Sequence, residues 1–378
     1  MTTLPAPPEP SPTRERVLVD HDALLDFLTE IFVGRGLPRG RATEAARALS
    51  HGDLTGMDSH GVANLARLYL PLLDEGRADP DAEPRIVTDL GAAVLLDARR
   101  ALGLWAASEA MDLAAERAER HGVGLVAVRQ ATHLGCAGHH ALRAVERGMI
   151  GVVTSNCGGQ RIARPPGGTV AVLGTNPLSA AAPAGSLPPF LLDMSTTAAP
   201  TGRIRQAARE GRPVPEGLLC DDRGEPVTDP AAFDSGLAHL MWLGGRVGRF
   251  KGFGLGVLVE VLSAVVSGSG RGPHPDALTG DGGPGGRDDD IGFLMLAIAP
   301  DALREGARTD AEELFGVLTD CEPVDPDHPV RYPGWHEYHL AAERRARGVP
   351  LGVELYEELV ETARRAGIRA PSIMEEGR

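Results

Sequence analysis

An alternation of apolar strands and Ala-rich helices between residues 92 and 154 constrains the fold of this chain more than any other feature. The runs that favour strands are 92–96, 122–128 and 150–154, and those that favour helices are 101–121 and 137–147. Strands joined by helices usually share one sheet and form parallel pairs, so the pattern predicts an α/β fold. Further strands are predicted at 169–173, 178–182, 190–194 and 293–298.

Helical segments are predicted on both sides of this region, because apolar residues recur there at helical spacing. The predicted helices are 20–33, 39–54, 201–209, 253–266, 308–318, 335–347 and 352–366. We therefore expect a disordered tail at 1–15, an N-terminal helical part at 16–90, an α/β core at 91–300 and a C-terminal helical part at 301–378. Within the core, 211–250 is expected to be irregular and 267–290 to form a long loop.

The composition of the chain excludes several classes of protein. A net charge of −14 argues against a nucleic-acid binder, which needs a basic surface. No apolar run approaches the roughly 20 residues of a membrane span, and the Pro-rich start does not resemble a signal peptide. The four cysteines are widely spaced and form no metal-binding pattern. We expect no metal, a cytoplasmic location with free thiols, and a small-molecule ligand.

The chain contains a single lysine, Lys251, against 37 arginines. An ammonium is a compact charge and a guanidinium a wide planar fork, so a lysine retained among so many arginines indicates a position that only an ammonium fits. Lys251 stands between glycines and is expected to open the helix 253–266. Chance is the plain alternative, and a Schiff-base nucleophile is a further one.

Two residues at the ends of predicted strands are candidates for chemistry. His133 follows the strand 122–128, and a histidine there can exchange protons near neutral pH. Its alternative role is to cap the next helix. Asp193 ends the strand 190–194 and is a candidate to orient a histidine, hold a ribose hydroxyl or act as an acid or base; its alternative role is an N-cap. The glycines of 252–256 lack the spacing of a dinucleotide fingerprint, so a Rossmann fold is not supported.

Taken together, eight motifs resemble those of the malate/L-lactate dehydrogenase type 2 family, in the same order. This family also holds ureidoglycolate and sulfolactate dehydrogenases and Δ1-piperideine-2-carboxylate reductases. Each motif is weak alone, whereas the ordered set, which spans residues 17–367, is specific. The motifs are Asp58-Ser59-His60-Gly61-Val62, Thr132-His133-Leu134-Gly135-x-x-Gly138, Pro166-Gly167-Gly168, Leu173-Gly174-Thr175-Asn176-Pro177, Leu192-Asp193-Met194-Ser195-Thr196, Thr228-Asp229-Pro230, Lys251-Gly252-Phe253-Gly254-Leu255 and Tyr332-Pro333-Gly334.

The resemblance implies a non-Rossmann nicotinamide-binding mixed sheet with helices on both faces, helical N- and C-terminal parts, and a homodimer that uses NAD or NADP. It implies that His133 donates and accepts the proton, that Asp193 lies at the cofactor and assists proton transfer in some members, and that Ser59 and His60 line the substrate pocket. The cofactor-lining positions that it implies are Asn156, Cys157, Thr175, Asn176, Asp193, Met194, Ser195 and Lys251.

Two residues depart from the family pattern. Asn64 stands where most members carry an arginine for the substrate carboxylate, and Arg203 replaces a frequent lysine. Loss of the arginine removes charge-assisted hydrogen bonds worth about 1.5–3 kcal/mol. Arg67, Arg161 and Arg164 are the candidate replacements, and the alternative is a substrate that lacks a carboxylate at that place. We expect hydride transfer between nicotinamide and a 2-oxo/2-hydroxy acid. The alternatives are a reductase of cyclic imines and a cofactor-binding protein without turnover.

Overall fold

The computed structural model describes residues 16–279 and 285–374, so the tail predicted at 1–15 lies outside the described residues. Nearly every helix that the sequence predicts is present, with ends that shift by one or two residues. The helices are α1 (His21–Val33), α2 (Arg39–Thr55), α3 (Leu70–Asp74), α4 (Gly103–His121), α5 (Ala137–Glu146), α6 (Thr201–Arg209), α7 (Ala231–Asp234), α8 (Gly245–Glu260), α9 (Pro300–Leu303), α10 (Ala307–Thr319), α11 (Trp335–Arg347) and α12 (Val353–Ala366).

The strands form one large sheet and two small ones. The strands are β1 (Arg16–Val19), β2 (Arg85–Asp89), β3 (Ala93–Asp97), β4 (Val123–Ala131), β5 (Ile150–Ser155), β6 (Leu178–Ala182), β7 (Phe190–Met194), β8 (Leu219–Cys220), β9 (Pro226–Val227), β10 (His239–Leu240), β11 (Ile291–Ile298) and β12 (Val349–Gly352). The large sheet has the order β2-β3-β4-β11-β5-β6-β7, and the small sheets are β10-β8-β9 and β1-β12.

The large sheet is mixed, as expected, but the expectation of several parallel pairs is wrong. Among the described strands of this sheet only β3 and β4 pair in parallel. β11 lies antiparallel between β4 and β5, and both of those strands pair with Phe293–Ile298. The alternation of strands and helices predicted that β4 and β5 pair directly and in parallel. Instead β11, which comes from far along the chain, lies between them. This order differs from that of a Rossmann sheet.

Helices cover both faces of the sheet, in agreement with the sequence. Gly124 of β4 lies against α4, where an added Cβ would stand 1.9 Å from the carbonyl oxygen of Ala114. On the other face, the Thr154 and Ser263 hydroxyls lie 2.8 Å apart, so the helical turn 261–265 that continues α8 packs on β5. The main hydrophobic core lies between the sheet and the helices α1, α2, α4 and α5. Within the described residues, no helix is long and apolar enough to cross a membrane.

Three local predictions need correction. Residues 169–173 do not form a strand, since only an isolated bridge joins Leu173 to Ala163 after the turn at 165–168. The segment 211–250 is more ordered than predicted: it contains β8, β9, β10 and α7, and a small apolar core that includes Leu219 and Phe233 holds it together.

The third correction concerns α8, which begins at Gly245, so Lys251 lies inside this helix instead of opening it. The glycines of α8 conceal the helix in the sequence, because glycine has a low intrinsic helix propensity. Close packing requires them: a Cβ at Gly252 would stand 2.5 Å from the backbone of Leu243, and one at Gly256 would stand 2.5 Å from the Trp242 ring.

Candidate active site

A cavity of about 280 Å³ lies at one edge of the large sheet, among residues that follow β4, β5 and β7. These three strands run in the same direction, because a single antiparallel strand separates each from the next. Their carboxyl ends therefore meet at one edge, which is where ligands collect in α/β proteins. The cavity brings together these predicted residues: Ser59, His60, His133, Asn156, Cys157, Thr175, Asp193, Met194 and Ser195.

The hydrogen bonds of His133 define its tautomer. The backbone N–H of Gly135 donates to His133 Nδ1 at 3.1 Å, and the Tyr69 hydroxyl lies 2.9 Å from the same nitrogen. A backbone N–H cannot turn its hydrogen away, so Nδ1 must accept in the neutral ring and Nε2 must carry the proton. Burial, followed by the nearby His60, lowers the pKa of His133 to about 3. The neutral ring thus has an N–H at Nε2 that is available to a ligand.

His60 lies beside His133, and the two rings stack with their centroids 5.9 Å apart and their planes at 22°. Ser59 Oγ lies 2.9 Å from His60 Nδ1. Burial lowers the pKa of His60 to about 4, and the positive charge of Arg67 acts in the same direction. Both imidazoles are therefore neutral near pH 7, and each would become easier to protonate next to a bound anion.

Tyr69 is the residue of this site that the sequence did not identify. Its side chain is fully buried, and its hydroxyl bonds His133 Nδ1. The hydroxyl can donate to Nδ1 when the ring is neutral and accept from Nδ1–H when the ring is charged. The helical turn 65–69 is of the π type, which is often found at functional sites but is visible only in the structure. In the sequence, Tyr69 is one of several apolar residues at helical spacing and so reads as a core residue.

Asp193 ends β7 and faces the start of α5. Its Oδ2 accepts a hydrogen bond of 2.7 Å from the backbone N–H of Gly138. A glycine is required at position 138, because a Cβ would stand 2.9 Å from that oxygen. Burial raises the pKa of Asp193 to about 7, and the charge of Glu337 acts in the same direction, whereas the Gly138 bond opposes it. The carboxyl group can therefore exchange a proton near neutral pH.

The two predicted asparagines have different positions. Asn156 lines the cavity, and its amide bonds Gly292 N–H, the Gly270 carbonyl and Glu260 Oε1. Asn176 is fully buried and is not among the residues that line the cavity. Its Nδ2 donates to Glu260 Oε2 at 2.8 Å. Both amides are thus anchored to the carboxylate of Glu260 on α8, so the structure supports a positioning role for Asn176 and no direct contact with a ligand in this cavity.

The remaining predicted residues form the polar wall between β5 and β7. Cys157 Sγ lies 3.6 Å from Thr175 Oγ1, and Ser195 Oγ donates to the carbonyl of Thr197 at 3.0 Å. Burial raises the pKa of the Cys157 thiol, so this cysteine is a neutral wall residue. Apolar groups complete the cavity, and they include Met194 and Leu243. A site with a few polar groups among apolar side chains suits a small organic ligand.

Lys251 lies outside this cavity, on the exposed surface of α8, and its ammonium is 5.9 Å from the centre of the Phe250 ring. Its neighbour Gly252 packs on the backbone of Leu243, which lines the cavity. The lysine therefore lies near the cavity without contributing to its wall, and its contact with a cofactor stays a prediction.

A buried network behind the cavity holds the turn that carries His133. The carbonyl of Leu134 can only accept, so His140 Nε2 donates to it, at 2.9 Å. Ser108 Oγ lies 2.9 Å from the other nitrogen of that ring and 2.7 Å from Glu44 Oε1, and its one hydroxyl proton is shared between these two acceptors. This chain of bonds connects α2, α4 and α5 to the backbone next to His133. It therefore fixes the position of the His133 ring, which lines the cavity.

Comparisons with known proteins find relatives of this chain in both sequence and structure. The sequence model of the family described as Malate/L-lactate dehydrogenase matches residues 19–360. A malate dehydrogenase of Pyrococcus abyssi is 31% identical over 362 residues, which cover 93% of this chain and 96% of that protein. A crystal structure of malate dehydrogenase from Entamoeba histolytica has a TM-score of 0.86 and 26% identity, and covers 95% of this chain and 100% of its own. That of Δ1-piperideine-2-carboxylate reductase from Pseudomonas syringae has a TM-score of 0.78 and 28% identity, with 92% and 99% covered.

Proposed function

The chain belongs to the malate/L-lactate dehydrogenase family, and from this membership we propose that it is an NAD(P)-dependent enzyme that transfers hydride between nicotinamide and a small 2-oxo/2-hydroxy acid. Family membership makes it an oxidoreductase with a nicotinamide cofactor and a small-molecule substrate. The choice of substrate class and the roles of individual residues are our proposal. The observation that carries it is the position of His133, whose Nε2–H is free beside a cavity that Asp193 also lines.

The chemistry of the cavity fits a nicotinamide ring with its carboxamide. Such a group needs an apolar surface and a few donors and acceptors, which Met194, Leu243, Thr175 and Ser195 offer together. A cavity of about 280 Å³ is at the lower end for small-molecule sites, roughly 300–1,000 Å³. It suits the nicotinamide end and a small substrate, so the rest of the dinucleotide would extend beyond it. The exposed ammonium of Lys251 is our candidate to contact that outer part.

In the proposed mechanism, a nicotinamide held by Thr175, Met194 and Ser195 would supply or accept the hydride at the substrate carbon. During reduction, His133 Nε2–H hydrogen-bonds the carbonyl oxygen and gives its proton to the oxygen as negative charge develops. The negative charge of a bound 2-oxo acid raises the pKa of His133 from its low value and so favours a protonated ring. Tyr69 accepts the bond from Nδ1–H of the protonated ring. After turnover the ring returns to its resting tautomer by losing the Nδ1 proton and regaining one at Nε2 from solvent. In oxidation the same steps run in reverse.

Asp193 and His60 have supporting roles in this proposal. With a pKa raised to about 7, Asp193 can hold a proton for a hydrogen bond to the substrate or cofactor. His60 packs on the His133 ring, and its bond with Ser59 orients it. Neither group forms a hydrogen bond with His133 in the described residues, so His60 acts on that ring through stacking and charge, and Asp193 acts on the ligand.

A reductase of cyclic 2-imino acids is the second candidate, and Asn64 favours it. This residue stands in place of the family's frequent arginine, which changes how a substrate carboxylate is held. A structural relative with 28% identity is named as a Δ1-piperideine-2-carboxylate reductase. His133 would have the same role in both candidate reactions. It would protonate the oxygen of a 2-oxo acid in the first and the nitrogen of a cyclic imine in the second.

The test is to follow absorbance of NADH and NADPH with a panel of 2-oxo acids and cyclic imines, using the wild type and His133→Ala. We expect one substrate class and one nucleotide to give turnover. We expect His133→Ala to lose turnover while its cofactor Kd, measured by fluorescence titration, stays within about twofold because the ring deletion leaves the other cofactor-lining groups in place. Near-wild-type kcat in that variant would refute the proton-donor role. No turnover with any pair would favour a protein that binds cofactor without catalysis.

We also propose that two copies pair through the outer face of α8. Val247 and Phe250 are 91% and 61% exposed, and the apolar side chains of Leu258 and Val265 continue this face at helical spacing. Exposed apolar surfaces of this kind usually mark an interface. Light scattering should give twice the chain mass for the wild type and the monomer mass for Phe250→Asp. A monomeric wild type would refute the proposal.

A further inference from the structure

We propose that the buried carboxylate of Glu260 makes the bound cofactor a stronger hydride donor, an inference that rests on the function proposed above. When hydride leaves a reduced nicotinamide with its electron pair, the ring becomes a cation. A fixed negative charge near the ring stabilises this cation, whereas the neutral reduced ring gains little from it. Glu260 is the last residue of α8, is 6% exposed, and holds the amide of Asn156 in the wall of the catalytic cavity.

Backbone contacts fix which way the two amides beside Glu260 point. Asn156 Oδ1 accepts a hydrogen bond from Gly292 N–H at 3.0 Å, so its Nδ2 lies on the side of the carboxylate. Asn176 Nδ2 donates to the carbonyl oxygen of Gly256 at 2.9 Å, and a carbonyl oxygen can only accept. Neither amide can therefore turn its oxygen towards Glu260, and both present N–H groups to it.

The hydrogen bonds of the Glu260 carboxylate, among the described residues, all come from donors. Oε1 accepts from Asn156 Nδ2 at 3.2 Å and from Gly272 N–H at 3.1 Å, and Oε2 accepts from Asn176 Nδ2 at 2.8 Å. A protonated carboxyl group would find no acceptor for its own hydrogen here, so the donors favour the charged form. Burial raises the pKa of Glu260, and these hydrogen bonds oppose that effect. The surroundings are therefore built to hold a negative charge.

No cation of the described residues forms an ion pair with this carboxylate. Arg271 acts on it through charge alone and is exposed to solvent, which screens its effect. A buried charge without a partner is costly, and a neutral acceptor would hold the same amides at a lower cost. The presence of a carboxylate at this position therefore indicates a role beyond the anchoring of two turns.

The charge of Glu260 reaches the catalytic cavity. Asn156 lines that cavity, and the turn that contains Asn176 contributes Thr175 to the same wall. The pKa of the Cys157 thiol, another group of this wall, is raised by burial, and the negative charge of Glu260 acts in the same direction. A cationic ring bound against this wall would be stabilised by the same charge.

Other ionisable groups near the cavity carry less permanent charge. Its two histidines are neutral near pH 7, and Asp193 is partly protonated because its pKa is about 7. Asp288, whose charge also acts on His133, is paired with Arg77 at 2.7 Å. Glu260 therefore supplies a permanent buried negative charge behind the wall, and this charge favours reduction of the substrate by the bound cofactor.

The experiment compares the Kd values of the oxidised and reduced forms of NAD or NADP, whichever the wild type binds, by titration calorimetry. Glu260→Gln removes the charge, whereas Glu260→Asp keeps it, and both variants disturb the two turns. We expect the ratio of the Kd of the reduced form to that of the oxidised form to fall about tenfold in Glu260→Gln. In Glu260→Asp the ratio should stay within about twofold of the wild type, because the charge is retained.

Glu357→Gln is the matched control, because it removes one negative charge from the exposed surface of α12, outside the catalytic cavity. It should leave the ratio unchanged. A wild-type ratio in Glu260→Gln would overturn the proposal even if both Kd values rise, since equal losses are what a purely structural role predicts. A ratio that falls equally in Glu260→Asp would also overturn it.

A measurement on the wild type covers the case in which Glu260→Gln does not fold. Salt screens a buried charge little, so the wild-type ratio should stay within about twofold between about 0.05 and 0.5 M KCl. A ratio that changes more than this would assign the effect to surface charges and overturn the proposal. None of these titrations needs a substrate. If the Kd ratios behave as expected and no 2-oxo acid or cyclic imine is reduced, the proposed function fails and the inference about Glu260 stands.

Discussion

Replacement of Tyr69 by Phe tests the partnership between this residue and His133. The tyrosine ring is fully buried, so Phe fills the same space and removes only the hydroxyl that lies 2.9 Å from His133 Nδ1. The neutral ring keeps a donor for Nδ1, because Gly135 N–H remains at 3.1 Å. The charged ring loses its acceptor, since a backbone N–H cannot accept. The substitution therefore acts more strongly on the protonated state of His133 than on the neutral one.

The expected magnitude follows from that difference. In the resting protein the lost hydrogen bond joins two neutral groups, so the free energy of unfolding should fall by about 0.5–1.5 kcal/mol. In the protonated state the bond is to a charged group and contributes about 1.5–3 kcal/mol. The losses in the two states therefore differ by about 1–1.5 kcal/mol. Since 1.36 kcal/mol corresponds to one pKa unit and to a factor of ten in rate, kcat should fall roughly 5- to 13-fold, and the pKa seen in the kcat profile should fall by about one unit.

The assay is steady-state oxidation of the reduced nucleotide between pH 5 and pH 9, with urea denaturation of the same protein. Tyr356→Phe is the matched control, because its hydroxyl donates at 3.1 Å to the Pro371 carbonyl and lies outside the catalytic cavity. The control should lose a comparable amount of stability and keep its kcat. A Tyr69→Phe enzyme with kcat within twofold of the wild type would refute the reasoning. A loss beyond about a thousandfold would instead mean that Tyr69 itself carries the proton.

Three other predictions follow from the structure. Lys251→Arg should raise the cofactor Kd severalfold in fluorescence titration, whereas the control Arg246→Lys on the same helix should leave it unchanged. An equal Kd in both variants would mean that the single lysine has no special role in cofactor binding. Asp53→Asn should remove a pH dependence: with a folded pKa of about 8, Asp53 makes the wild type lose stability as pH rises from about 4 to 8, by up to about 1.4 kcal/mol per unit. Urea denaturation at pH 5 and pH 8 measures the free energy of unfolding of both proteins. An equal change in that free energy between the two pH values in the wild type and in Asp53→Asn would contradict the prediction. The pKa of His133 should be higher in the profile of kcat than in that of kcat/KM, because a bound carboxylate raises it; coincident values would contradict this.

The sequence predicted the elements of the fold better than their arrangement. Periodicity identified α4, α5, α6 and α11 almost to the residue, because each buries an apolar stripe. The position of β11 between β4 and β5 was not predictable in this way, since strand pairing over a long stretch of chain leaves no mark in local periodicity. The start of α8 was missed because packing, and not propensity, requires glycines there.

Most of the predicted site residues line one cavity in the structure. The motifs that follow β4, β5 and β7 are far apart in the sequence, and it was the resemblance to the family, and not their spacing, that grouped them into one site. Asn176 and Lys251 also belong to the motifs of the resemblance but lie outside the cavity. Asn176 is bonded to Glu260 behind the cavity wall, and Lys251 lies on the exposed surface of α8. Tyr69 and Glu260 escaped notice because they form a few long-range bonds, and each looks like an ordinary helix residue in the sequence.

The central place of β11 has a consequence for how this protein forms during synthesis. Until the ribosome has released residue 298, β4 and β5 each lack the partner that fills the gap between them, and both present open edges. The cavity lies at the ends of these same strands, so neither half of the sheet alone can assemble it. The nascent chain must therefore wait for the last strand of its large sheet, and until then the facing edges of β4 and β5 are open to wrong pairing.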